Sequence, residues 1–301
     1  MNLSLLFDVG PVNGLILLGI SITGLAVAAS TIVKLRRGDD VAFTPMVIAL
    51  AAPLLFAIYA GTLQYAAASD AAMHAADPLA RQTLLAMAVS RAITTQIAAG
   101  IASAIPAFAI IAGCLSVASF GEQPRSGIAA VAAVLTVLLT ATALGSGAAS
   151  GAWGLAAIRA LLYLAAGIAT TAALLTTHHR GPGAQVGPVA AATLPLLVAA
   201  LDASGSGWLS MQELLLIVSA APADKMTMML ATDDALTILR GFSGLSVVLA
   251  LILAGLGPVA SAYKSRPLVR SQSIAIAVSM ASALAIVLLT SGYLAPFTTL
   301  P

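Results

Sequence analysis

The sequence predicts an all-α protein: a polytopic membrane helix bundle of about eight transmembrane helices, in two parallel four-helix repeats with long third and seventh helices. Three observations predict it. Of the 301 residues, 60% are hydrophobic and 8% charged, whereas soluble domains carry roughly 25% charged residues. The apolar residues fall in runs of about 20 or more, the length a helix needs to cross a hydrocarbon core of about 30 Å. The second half of the chain also repeats the first. Because the runs are continuously apolar and do not alternate, they select helices over a barrel; in lipid a helix satisfies its own backbone groups.

Eight spans follow in order. The first, 12–33, is preceded by MNLSLLFDVG, which holds no Lys or Arg; a cleaved signal peptide is not expected and this span should remain. Spans two and three cover 43–65 and 90–118. Before the third, Asp77 and Pro78 read as an N-cap followed by Pro at the first helical position. Helix-favouring residues continue from Leu79 to Ser119, roughly 60 Å of helix and about twice a hydrocarbon core. That helix should project from the membrane or break near Pro106. Spans four to eight are 126–146, 152–176, 186–203, 238–260 and 272–294, the sixth being the shortest and closed by Asp202.

If these spans alternate across the membrane, Lys and Arg should gather on one side. One side carries Lys34, Arg36, Arg37, Arg125, Arg180, Lys264, Arg266 and Arg270; the other carries Arg81 and Lys225. The bias places the basic loops in the cytoplasm and both termini outside it, in what is expected to be a bacterial inner membrane. Arg91, Arg159 and Arg240 sit within or near the spans and do not enter the comparison.

The repeat has a period of about 142 to 146 residues and divides the chain into units 1–147 and 148–301. In its best stretch Pro78 meets Pro222, Arg81 meets Lys225, Thr83 meets Thr227 and Gly100 meets Gly244. Arg37-Gly38 matches Arg180-Gly181, Pro45 and Pro53 match Pro188 and Pro195, and Arg125-Ser126 matches Arg270-Ser271. Apolar segments resemble each other by composition, so the Pro, Arg and Gly matches carry the inference. Four spans per half give both halves the same orientation, a parallel repeat about an axis along the membrane normal.

Polar residues inside the spans are few. Thr94, Thr95, Gln96 and Ser103 lie on the third span, and Thr237 and Arg240 on the seventh, with Asp233 and Asp234 just before it. Ionisable groups at membrane depth are expensive and often functional, so these eight are the candidate pore or polar path. The plainer reading has Arg91, Asp233 and Asp234 wetted at the outer helix ends. Arg159 and Asp202, both toward the outer face, read as a charge pair more readily than as a transport site. Gly100, Ala104 and Ala107 stand at helix-packing spacing, where small residues let membrane helices approach closely.

Other classes of function are poorly served. Cys114 is the single cysteine and three His are scattered, so no metal-ligand spacing arises. No carboxylate pair, nucleophile with His, or phosphate-binding Gly loop is visible, so neither an enzyme nor a cofactor is expected. His178, His179 and Arg180 read as part of the basic rim. A net charge of +2 gives no basis for nucleic-acid binding.

Two motifs carry a family resemblance. APLLFAIYAGTLQ, from Ala52 to Gln64, resembles the Pro-Leu-Leu followed by Gly-Thr of MotA/TolQ/ExbB proton-channel subunits. GIASAIPA, from Gly100 to Ala107, is similar to that family's Gly-Leu-x-x-Ala-Ile-Pro-Ala in the following helix. Residues 12–118 are covered, with a fainter echo in 152–260, and the topology agrees with the TolQ/ExbB side. The resemblance implies subunits that oligomerise around a partner's single helix and pass protons, with spans two and three as pore helices. The family's pore Thr falls on Ile97 and its acidic position on Ala92, with Thr94 and Thr95 as neighbours. Its large cytoplasmic segment is reduced to KLRRGDDVAF.

The expected function is therefore a proton-channel-like subunit of an energised membrane complex, with membrane-protein partners or further copies of itself and a single-span subunit beside it. A non-catalytic scaffold subunit and a small-solute permease are the alternatives. The permease requires a midplane cavity lined by both halves, and the scaffold requires function to depend on small-residue faces.

Overall fold

In the computed structural model the described residues are 10–75, 77–117, 128, 131–141, 153–176, 184–219 and 246–261. They are helical apart from short connections, and no strand occurs among them. We number the helices α1 (Pro11–Arg37), α2 (Phe43–His74), α3 (Pro78–Val117), α4 (Val131–Ala141), α5 (Trp153–Thr176), α6 (Val186–Ser219) and α7 (Ser246–Ser261). Five of them, α1, α2, α3, α5 and α6, are long and apolar enough to cross a membrane. Their outward faces are apolar too: Leu15 on α1, Leu115 on α3 and Leu161 on α5 are 70%, 74% and 65% exposed. Such surfaces are stable against lipid and costly against water. The protein is an integral membrane protein.

Local chemistry sets the helix ends. α1 opens on Pro11, whose missing N–H is harmless in the first turn. It closes on Gly38 at φ 75, a left-handed position that glycine adopts without a Cβ penalty. The Gly38 and Asp39 N–H groups then donate to the carbonyls of Leu35 and Lys34. Lys34, Arg36 and Arg37 occupy the last turn, where cations favour the negative end of the helix dipole.

One sequence alternative is decided and one expectation is corrected here. α3 does not break at Pro106 but runs unbroken for 40 residues, about 60 Å, and so outruns a bilayer. α2 and α6 likewise continue through Pro53 and Pro195. Each interior Pro removes one helix hydrogen bond, and neighbouring helices make that tolerable in a membrane bundle. Secondly, Asp202 does not close the sixth span; α6 continues to Ser219, and Asp202 lies in its middle. Span four is represented by α4 and span seven by α7, both shorter than expected within the described residues. Span eight and the extension that would lengthen the seventh helix lie outside the described residues.

Pairwise contacts give the helix directions. Ser103 on α3 hydrogen-bonds Leu50 on α2, and a Cβ on Gly61 of α2 would touch Ala92 of α3, so these two helices are antiparallel. Gly24 and Ile32 of α1 meet Pro106 and Gly113 of α3 in the same chain order, so α1 and α3 are parallel. Gln96 and Gly100 of α3 meet Ser206 and Ala200 of α6 in opposite order, so these two are antiparallel. Successive crossings demand this alternation.

α6 stands between two buried clusters. One packs Leu196 and Ala200 of α6 with Met46 and Leu54 of α2, Ala107 and Ile110 of α3, and Ala250 of α7. The other packs Ala191 and Val198 of α6 with Leu135 of α4, Tyr163 of α5 and Leu253 of α7. At the start of α6, Gln185 donates to Asp40 at 2.9 Å and accepts from Ser261 at 3.0 Å. This ties the α1–α2 connection, α6 and the end of α7 at one face.

Candidate functional site: a polar seam between α3, α5 and α6

The seam between α3 and α6 is built from small residues. A Cβ on Gly100 would stand 2.6 Å from the Ala200 carbonyl and 2.9 Å from the Ser204 nitrogen, and one on Gly207 would stand 2.7 Å from Ile97. The backbones therefore approach at distances that only glycine allows, the usual basis of close helix contact in a membrane. The glycine of the packing pattern sits in that contact, and Ala104 and Ala107 are buried in the neighbouring cluster.

Gln96 crosses the seam. Its Nε2 donates to the Ala203 carbonyl at 3.1 Å and to Ser206 Oγ at 3.0 Å. Ser206 in turn donates to the Asp202 carbonyl at 2.7 Å. Ser103, two turns further along the same face of α3, is fully buried and donates to Leu50 on α2 at 2.6 Å. Thr94 and Thr95 are buried as well, but each hydroxyl donates within α3, to Ser90 at 2.9 Å and to Arg91 at 2.7 Å. Thus Gln96 and Ser103 join helices, while the two Thr satisfy themselves locally. Asp233, Asp234, Thr237 and Arg240 lie outside the described residues.

On the other side of α6 the expected charge pair is present. Arg159 Nε lies 2.7 Å from Asp202 Oδ1, and its Nη2 donates to Oδ2 at 2.9 Å. Tyr163 Oη donates to the same Oδ2 at 2.9 Å. The charged side chains are 2% and 4% exposed, so water contributes almost nothing to their solvation. Burial of this kind is tolerable only with pairing and hydrogen bonds of good geometry. Here the carboxylate accepts hydrogen bonds from Arg159 Nη2 and Tyr163 Oη, with Arg159 Nε in ion-pair contact with its other oxygen.

Tyr163 and Ser206 were not singled out from the sequence. A signal existed for both: Tyr163 follows Arg159 by four residues and Ser206 follows Asp202 by four, the spacing that puts two side chains on one helix face. No group of His, Cys, Asp and Glu suited to a metal ion occurs among the described residues. The arrangement offers fixed hydrogen-bond donors, one buried carboxylate and its counter-charge, the ingredients of charge stabilisation or proton exchange in a membrane.

No family model matches the chain, and neither the curated proteins nor the solved structures give a match. The class of protein defined by the fold is therefore the helical integral membrane protein, and its function is argued from the seam and from the two motif-bearing helices.

Proposed function

We propose that the chain is a membrane subunit of an energised complex, of the MotA/TolQ/ExbB-like kind, in which α2 and α3 flank a proton path shared with a single-span partner. The observation that carries this reading is the pairing of α2 with α3. They bear the two resembling motifs, pack antiparallel through Leu50 and Ser103, and both outrun a bilayer. Leu54 of the first motif and Ala104 and Ala107 of the second share one buried cluster. That cluster leaves Ile105 and Phe108 of α3 exposed for lipid or a partner helix.

A second reading, a non-catalytic scaffold subunit, is favoured by a different observation. The donors of Thr94, Thr95, Gln96 and Ser103 are all taken by helix carbonyls or by Ser206. Gentle extraction from membranes followed by mass spectrometry tests the shared premise, with a single-span subunit expected alongside this chain. Proton flux into vesicles carrying the extracted complex separates the two readings. Replacing Thr94 and Thr95 by Val and Gln96 by Leu together should lower the flux; an unchanged flux in an intact complex sinks the channel reading and leaves the scaffold.

A further inference from the structure

The repeat supplies an internal comparison for the Arg159, Tyr163 and Asp202 cluster. The offset of 143 residues set by Arg37 and Arg180 aligns Arg159 with Ile16 and Tyr163 with Ile20. The offset of 142 set by Pro53 and Pro195 aligns Asp202 with Ala60, which is buried. One half of the chain thus fills these positions with apolar side chains. The ionic cluster is an addition of the second half and is not required by the repeated sequence pattern. Nor is stability a sufficient reason for it, since apolar replacements of a buried ion pair are often neutral or stabilising.

Its position suits exchange with one face of the membrane. Asp202 lies six residues before Trp208, the exposed last residue of the apolar stretch Val186–Trp208. That places the carboxylate about 9 Å inside the edge of the stretch. Arg159 is two residues inside the edge of its own stretch, Ala157–Leu174, and Arg side chains carry their charge toward an interface when released. Toward that same edge, Ser206 lies two residues before Trp208 and takes a hydrogen bond from Gln96 of α3, on the turn that holds Thr94 and Thr95.

We infer that Asp202 is a proton-binding carboxylate belonging to this chain, with Arg159 and Tyr163 positioning it and with Ser206 and Gln96 standing between it and that edge of the membrane. This inference rests on the channel-like reading and moves the proton-carrying acid from the partner to the chain itself. In the step, a hydronium ion gives one proton to a carboxylate oxygen of Asp202. One O–H bond forms in the carboxyl and one breaks in the hydronium, leaving water; no electrons change hands. The cluster passes from neutral to a single positive charge, held by Arg159. Among the described residues, the charged or titratable groups on Asp202 are Arg159 and Tyr163 from α5; on the α3 side the uncharged Gln96 bonds Ala203 and Ser206, one and four residues further along α6.

Two measurements test this, both on the gently extracted complex in lipid vesicles. Dicyclohexylcarbodiimide, an apolar reagent that attaches to protonated carboxyls, should leave an adduct on Asp202 that mass spectrometry locates and that the Asp202→Asn variant lacks. Absence of that adduct throughout the acid range overturns the inference. Proton flux is then compared with the combined variant Arg159→Ile, Tyr163→Ile, Asp202→Ala, which copies the first repeat. It should lose far less stability than Arg159→Met alone while its flux falls to that of protein-free vesicles. Natural flux in a folded combined variant overturns the inference while leaving the channel reading intact. An adduct on Asp202 in a chain that passes no protons means that the channel reading alone has failed. Should the combined variant fail to assemble, the labelling result decides.

Discussion

Gly100→Ala gives the sharpest test of the α3–α6 seam. The new methyl would face Ser204 Oγ, which can rotate away, but also the Ala200 carbonyl at 2.6 Å and the Ser204 nitrogen at 2.9 Å, which cannot. Relief requires the two helices to part by about 0.5–1 Å, a gap that forfeits about a quarter to a half of each van der Waals contact along the seam. Overpacking of this kind costs about 1–3 kcal/mol. The same movement stretches the two Gln96 hydrogen bonds, now 3.1 and 3.0 Å, each worth about 0.6 kcal/mol in a membrane bundle. The expected loss is therefore about 2–4 kcal/mol, or a fall of about 3–6 °C in the unfolding midpoint.

Cys114 provides the assay. It is the single cysteine of the chain and is 3% exposed, so a thiol-reactive dye reports its uncovering on heating. Gly205→Ala is the matched control, because a Cβ there meets nothing within 4 Å. It should hold or raise the midpoint, since Ala is favoured over Gly within a helix by up to about 1 kcal/mol. Equal midpoints for the two variants would show that the seam is not closely packed around Gly100, and the geometry given for the site would fall with it.

Three further outcomes are expected. Gln96→Leu keeps the side chain's bulk but removes both donors, and should lower stability by about 1–2 kcal/mol in the same thiol assay. Arg159→Met alone leaves the Asp202 carboxylate buried without its counter-charge and should cost about 3–5 kcal/mol; the combined apolar variant of the cluster should lose much less, so thermal unfolding of the two should give clearly different midpoints. Gly167→Ala drives a methyl into Thr136 on α4. It should be destabilising by about 1–3 kcal/mol and be rescued by Thr136→Gly, because the Thr136 Cβ itself lies 2.5 Å from the new methyl, a non-additivity that a double-mutant cycle measures directly.

Much of the fold was legible because membrane helices are written in long apolar runs. The expected 12–33 and 152–176 correspond to α1 at Pro11–Arg37 and α5 at Trp153–Thr176, and Asp77-Pro78 marks the start of α3 as read. The pairing of Arg159 with Asp202 was legible for an electrostatic reason: two opposite charges in adjoining spans have few other ways to be buried. The length of α6 was not. Asp202 and the small polar residues that follow it, Ala-Ser-Gly-Ser-Gly, have the composition of a helix end. In the fold they are held helical by contacts from outside the segment, with Ile97 over Gly207 and Gln96 on Ala203 and Ser206. The partner of Gln96 was hidden likewise, because a lone Gln in an apolar run names no residue more than a hundred positions away.

α6 is pinned at its start and at its middle, and this limits how the two halves can move. Gln185 is tied to Asp40 and Ser261 at one face, and Asp202 to Arg159 and Tyr163 toward the other. The 17 residues between Gln185 and Asp202 span about 26 Å of helix, most of a hydrocarbon core. α6 therefore cannot tilt without breaking a buried polar contact near one face. The α3–α6 seam, by contrast, is held by glycine contacts and two hydrogen bonds from a neutral side chain, each weak by itself. If the proposed complex does mechanical work, opening the cluster at Asp202 releases the middle of α6 from α5 while the Gln185 contacts keep its start, so α6 pivots against α3. A spin label or fluorophore pair on α3 and on the C-terminal part of α6 should then separate in the Asp202→Asn variant, while a pair placed beside Gln185 and Asp40 keeps its distance. Equal displacement of both pairs would mean that α6 shifts as a rigid rod, and the pivot would be wrong.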